Sequence, residues 1–161
     1  MAFGFKRVIQ SKGPDRFIIN LRSDLREVIA EVCTEVRSLL DDDATQGNPM
    51  LRRIFPVAHA SDESVNVAYR NLVHSDLLRT RREALERVAE TANAIELDRA
   101  TLETWMVGLN TVRLALGTRL DVSEDSFPEL EEDDPELPAW AIYEFLGVLV
   151  GLVVDALART A

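Results

Sequence analysis

Cysteine is almost absent: Cys33 is the only one in 161 residues. An intrachain disulfide is therefore excluded, and a reducing compartment is the natural setting. Histidine is nearly as scarce. His59 and His74 lie fifteen residues apart with no other ligand at metal-binding spacing, so no metal site is expected. No glycine-rich phosphate loop, nucleophile elbow or paired His/Asp set occurs. No cofactor and no catalytic residue are expected, and the reading is of a protein that is not an enzyme. The start, Met1-Ala2-Phe3-Gly4-Phe5-Lys6-Arg7, lacks the continuous apolar run of a signal peptide. A cytoplasmic protein is expected.

Base is missing from one stretch altogether. Residues 121–138 hold nine acids and no Lys or Arg, which leaves only −1 of the net charge of −10 to the rest of the chain. The beginning is basic, because residues 1–22 carry Lys6, Arg7, Lys12, Arg16 and Arg22 against Asp15. Duplex DNA is repelled by the acidic stretch, so contact with nucleic acid has to come from the basic beginning.

The apolar pattern is mostly that of helices. Residues 1–22 read as a short β-hairpin, with strands over 3–9 and 16–21 around the turn Ser11-Lys12-Gly13-Pro14-Asp15. Ser23 caps a helix whose face is Leu25, Val28, Ile29, Val32, Val36, Leu39 and Leu40. Asn48-Pro49 opens a short helix through Phe55. Ser61 caps the next. Its stripe of Val65, Tyr69, Leu72 and Val73 is rotated away from that of Leu77, Leu78, Leu85, Val88 and Ala89, so a break near Ser75-Asp76 is expected. Asp98 caps a helix to about Arg119, with Leu102, Trp105, Met106, Leu109, Val112 and Leu116 inward. Residues 121–138, broken by three prolines, form an acidic loop, and residues 139–158 a final core helix. The fold class expected is mainly α: a single-domain bundle of five to six helices with a short N-terminal hairpin, residues 23–120 forming the helices before the loop.

Several residues invite a functional reading. Arg113 falls within about 40° of the centre of its helix's apolar face, where a guanidinium needs a partner. Glu144 and Asp155, on one side of the last helix, are the natural candidates. A structural pair fixing helix register is the plainer account, and a ligand- or partner-gated pair the sharper one. Gly147-x-x-x-Gly151 shares that stripe. Close packing inside the domain comes first, a homodimer contact second and a membrane span last, given two acids in its length. Asp121-x-Ser123-x-Asp125 with Glu132 echoes a calcium loop, but Ser126 replaces the required glycine and Pro128 disrupts the ladder, so a solvated loop that docks a basic partner is preferred. Cys33, at the edge of its stripe, reads as a small buried hydrophobe, with a redox-sensing thiol as the alternative. Arg79-Thr80-Arg81-Arg82 is followed by Glu83 and Glu86 and reads as a solvated face.

Three motifs together carry a resemblance: Arg70-x-Leu72-x-x-Ser75-Asp76-Leu77, Trp105-x-x-x-Leu109-Asn110-x-x-Arg113-Leu114-x-Leu116-Gly117-x-Arg119-Leu120, and Tyr143-x-Phe145-Leu146-Gly147 after the acidic run. With these the chain resembles an actinobacterial family of conserved proteins known only as a domain of unknown function, whose gene typically lies near the Clp protease adaptor. Many members carry an aspartate where this chain has Thr111. The resemblance implies a cytoplasmic, mainly helical protein without established catalytic residues, in proteolysis or stress control. Asn110, Arg113, Gly117, Arg119, Glu144, Gly147, Gly151 and Asp155 are the candidate structural or interaction residues. The expected function is a non-enzymatic regulator or adaptor acting through a protein partner. A DNA-associated, redox-responsive transcription regulator using the basic hairpin is the alternative.

Overall fold

A computed structural model describes residues 8–41, 63–123 and 129–161, and the side chains of 63–74 lie outside that description. So do the expected strand residues 3–7, the bases Lys6 and Arg7, the short helix at Asn48–Phe55, the Ser61 cap, and Glu124 to Pro128 of the acidic run.

Two strands flank the turn foreseen at residues 11–15. β1 (Ile9–Ser11) pairs antiparallel with β2 (Arg16–Ile19), Ile9 opposite Ile19 and Ser11 opposite Phe17. Gly13 holds φ +113°, a left-handed value that suits glycine, and its carbonyl accepts from Ser11 Oγ at 2.8 Å. A third strand, β3 (Glu96–Asp98), adds to the free edge of β2 with Leu97 opposite Phe17. Phe17, Ile19 and Leu97 alternate inward and are buried.

Four helices follow this order among the described residues: α1 (Ser23–Asp41), α2 (Glu63–Thr91), α3 (Arg99–Arg119) and α4 (Leu137–Arg159). The expected break at Ser75-Asp76 is not there, and α2 runs on through both residues. No Pro or Gly interrupts the ladder, and Asp76 pairs with Arg79 one turn on, at 2.7 Å. A helix lying between α1 and α3 can bury two stripes without breaking. Four helices among the described residues therefore stand where five to six were expected, the one expected at 48–55 lying outside that description.

α1 begins one residue earlier than a Ser23 cap requires, because Arg26 N already donates to Arg22 O at 3.1 Å. Its buried line is Arg26, Ile29, Cys33, Val36 and Leu40, so Cys33 is central rather than marginal. α3 is capped as expected, with Asp98 Oδ1 accepting from Thr101 N at 2.8 Å. This helix is buried on most sides, and Leu102, Trp105, Leu109, Val112 and Ala115 form the centre of the core. α4 lies antiparallel along α3 and buries Leu146, Leu149, Val153 and Leu157.

The end of α3 is a Schellman turn. Val122 N donates to Gly117 O at 2.9 Å and Asp121 N to Thr118 O at 3.2 Å. This closure puts Asp121 at φ +53°, where a Cβ is strained, and sets its carboxylate at the negative end of the helix dipole. Asp121→Gly is expected to stabilise the fold by about 0.5–1 kcal/mol, read as a higher denaturant midpoint. An unchanged or lower midpoint contradicts this account of the turn.

Candidate functional site

α4 turns two unlike faces to its surroundings. The 100° step carries Leu146, Leu149, Val153 and Leu157 into the core and leaves Glu144, Val148, Gly151 and Asp155 on the opposite side, exposed. Tyr143 and Gly147 lie between the two faces, toward α3. There the Arg113 guanidinium sits 5.4 Å from the Tyr143 ring centroid. Its Nε is buried without a hydrogen-bond acceptor, and a Cβ on Gly147 would stand 3.5 Å from it, in ordinary contact.

The expected Arg113 ion pair is not formed. Glu144 points to solvent, and Asp155 is bound to Arg159 at 2.9 Å. The reason is rotational: the position that faces α3 is Tyr143, and Glu144 lies 100° further round. Arg113 is thus held by an aromatic face, and no carboxylate among the described residues pairs with it. Of the other candidates, Asn110 is half-buried, Gly117 is buried in the terminal turn of α3, and Arg119 is exposed near the carbonyl end of that helix. The structure brings Arg113 and Gly147 together and leaves Gly151 facing open space, with nothing within 4 Å of an added Cβ.

Cys33 is wholly buried, and burial pushes its thiol up to about 12. At neutral pH only about one molecule in 10⁵ carries the reactive thiolate. The native protein is expected to resist a thiol reagent at pH 7 and to react once denatured. The folded value stands above the unfolded value of about 8.5, so the linked stability is intact below pH 8.5 and lost as pH rises toward 12. Cys33→Ala removes that alkaline slope. Rapid labelling of the native chain would sink the argument.

The hairpin bases are engaged with acids nearby. Arg16 binds Glu96 through two bonds of 2.7 and 2.8 Å, and Arg22 binds Asp24. Each arginine lowers the pKa of its carboxylate partner, chiefly through the hydrogen bond. The basic run of α2 is likewise occupied. Arg79 pairs with Asp76, Arg82 lies 2.6 Å from Asp41, and Arg81 reaches Thr111 Oγ1 at 3.4 Å. By contrast, no salt bridge is formed among the described residues by Glu129, Glu131, Glu132, Asp133, Asp134 or Glu136, which precede α4. No three His, Cys, Asp or Glu side chains among the described residues group as a metal ion requires. A cavity of about 270 Å³ between the start of α1 and α4 is lined by Val8, Leu21, Leu25, Phe145, Leu149 and Leu152, with Asn20 and Arg22 as its polar members.

Two arginines that sequence reasoning passed over organise this end of the molecule. Arg26, 8% exposed, donates to Ile19 O, Leu21 O, Ala92 O and Ala94 O at 2.6–2.9 Å. Arg99 donates to Pro14 O at 3.0 Å, Leu157 O at 3.2 Å and Thr160 Oγ1 at 2.9 Å, tying the hairpin turn to the end of α4. The signal for Arg26 was present: it heads the line 26, 29, 33, 36, 40, whose spacings alternate three and four.

The family model described as Domain of unknown function (DUF2017) matches residues 4–157, and the chain belongs to that family. It is 27% identical over 130 residues to the putative oxidative stress regulator AosR of Mycobacterium leprae, covering 70% of this chain and 60% of that protein. It is 28% identical over 120 residues to the oxidative stress regulator AosR of Mycobacterium bovis and of Mycobacterium tuberculosis, covering 64% of this chain and 55% of those proteins. The chain thus spans 60% or less of the length of these curated relatives. No solved structure matches it.

Proposed function

We propose that this member of the DUF2017 family is a cytoplasmic, non-enzymatic regulatory protein that acts by contacting other proteins, in the control of oxidative stress. The observation that carries the reading is the outer face of α4. Val148 and Val154 are 43% and 45% exposed there, on a helix apolar enough in length and composition to cross a membrane. The valines and Gly151 lie between the exposed Glu144 and Asp155, and an apolar strip of that kind asks for cover. The acids of residues 129–136, which form no ion pair among the described residues, lead into the start of α4 and supply a rim for a basic partner. The names of the relatives supply the process.

Contact with DNA is the weaker reading. Arg16 and Arg22 already hold carboxylates, which leaves Lys12 as the uncommitted base of the described hairpin. Direct thiol sensing finds no support either, since Cys33 is buried as the thiol.

The test compares affinity capture from host cytoplasm by the intact chain and by a chain with Glu129, Glu131, Glu132, Asp133, Asp134 and Glu136 changed to their amides. Oxidant survival of cells carrying each form is measured alongside. A partner held by the first and lost by the second, with survival falling in step, supports the reading. Equal capture and equal survival overturn it.

A further inference from the structure

We infer that the outer face of α4 packs against the same face of a second copy of this chain, antiparallel, about a two-fold axis at Gly151. The inference rests on the proposed reading of that face as a contact surface, and it names the occupant.

Gly151 supplies the first observation. It lies mid-helix, where glycine costs about 0.8–1 kcal/mol relative to alanine, yet a Cβ would meet nothing within 4 Å. Nothing among the described residues requires the missing side chain. A backbone approaching from outside does require it.

The second observation is the symmetry of the face about that residue. Val148 and Val154, the exposed large apolar residues of α4, stand three positions before and three after Gly151. An antiparallel two-fold at Gly151 therefore brings each Val148 level with the other copy's Val154, the two lining opposite edges of the seam about 60° either side of Gly151. This is an isologous contact, in which one patch complements itself.

Charge fixes the direction. A parallel pair would place Glu144 on Glu144 and Asp155 on Asp155. In the antiparallel pair Glu144, seven positions before the axis, meets the second copy's Ala158 and Arg159. Arg159 is exposed and already bound to Asp155 at 2.9 Å, so it is placed to bridge both acids. Lipid is the less favourable occupant. Glu144 and Asp155 lie on the very side that would enter the bilayer, each at about 2.5–3.5 kcal/mol near its centre. One helix pair buries less than the roughly 800 Å² per partner of a standard interface, so the dimer is expected to exchange with monomer as it is diluted.

The experiment is sedimentation equilibrium of the full chain, with zwitterionic vesicle flotation as a parallel arm. Twice the chain mass of 18.1 kDa is expected at high concentration. Val148→Asp is expected to weaken association about tenfold or more while leaving the melting curve of the dilute protein unchanged. Glu144→Arg and Arg159→Glu should each weaken it, and the double exchange should restore much of the loss. Gly151→Ala should raise the melting point of the dilute monomer and still loosen the dimer, which a merely unfolded variant does not do. A chain that stays monomeric, a dimer indifferent to Val148→Asp and the charge exchange, or a monomer that floats with vesicles overturns the inference. Loss of partner capture on neutralising the 129–136 acids leaves the regulatory reading standing even then, whereas a normal dimer with unaltered capture and survival sinks that reading alone.

Discussion

Replacing Arg26 by methionine is expected to cost about 3–5 kcal/mol of folding stability, among the largest single losses in this chain. Methionine fills the space of the arginine stem, so little of the loss is cavity. What disappears is the donor set for four carbonyls from two segments: Ile19 at the end of β2 with Leu21 just past it, and Ala92 and Ala94 beyond α2. Each buried carbonyl left bare costs about 1–3 kcal/mol. Relief of the arginine's own desolvation offsets part of this, because no carboxylate among the described residues balances its charge. The negative end of α2 does part of that work, since Ala92, the residue after the helix, turns its carbonyl to the guanidinium. Arg26→Lys is expected to recover less than half, since a point ammonium on a shorter reach cannot span four diverging oxygens. Urea denaturation of both variants gives the free energies, and hydrogen exchange at Ile19 and Leu97 shows whether the sheet opens first. A loss below about 1 kcal/mol for Arg26→Met would mean that water replaces the guanidinium freely.

The same residue marks where the sequence stops being legible. The alternation of three and four along 26, 29, 33, 36 and 40 is plain, but a charged head suggests solvent, and only the meeting of hairpin, α1 and α2 turns it inward. Periodicity did convey what is local. The extents of α1 and α3 and the Asp98 cap follow from side-chain spacing and capping chemistry alone. β3 does not, because three residues beside an Ile95 that is 71% exposed become a strand only when β2 offers them an open edge. Arg113 shows the same limit at the candidate site. Charge matching points to Glu144 and Asp155, whereas the rotation of α4 against α3 delivers the Tyr143 ring. The outer stripe of α4 was legible throughout, being a matter of one helix's own geometry.

Gly108→Leu is expected to be as damaging, at about 3 kcal/mol or more, and the smaller Gly108→Ala to cost about 1–2 kcal/mol. The motif Gly147-x-x-x-Gly151 draws the eye, but Gly108 is the glycine that a neighbour presses. A Cβ there would stand 2.8 Å from Val88 Cγ2 and 3.1 Å from the Ala84 carbonyl oxygen, where α2 crosses α3. Helix propensity alone favours alanine over glycine by about 0.8–1 kcal/mol, so the packing penalty has to exceed that before any loss is seen. Gly151→Ala in the dilute monomer meets no neighbour and keeps the whole propensity gain. The two substitutions are chemically identical and both fall mid-helix, in α3 and α4, so the gap between their melting free energies, about 2–3 kcal/mol, isolates the crossing of α2 and α3. Val88→Ala separates the contact further. In the double variant the Val88 methyl no longer blocks the new Cβ, but the Ala84 carbonyl belongs to the backbone of α2 and cannot withdraw, so rescue should be partial. Full rescue would place the strain on the side chain alone, and an additive double variant would mean that the helices do not meet at Gly108.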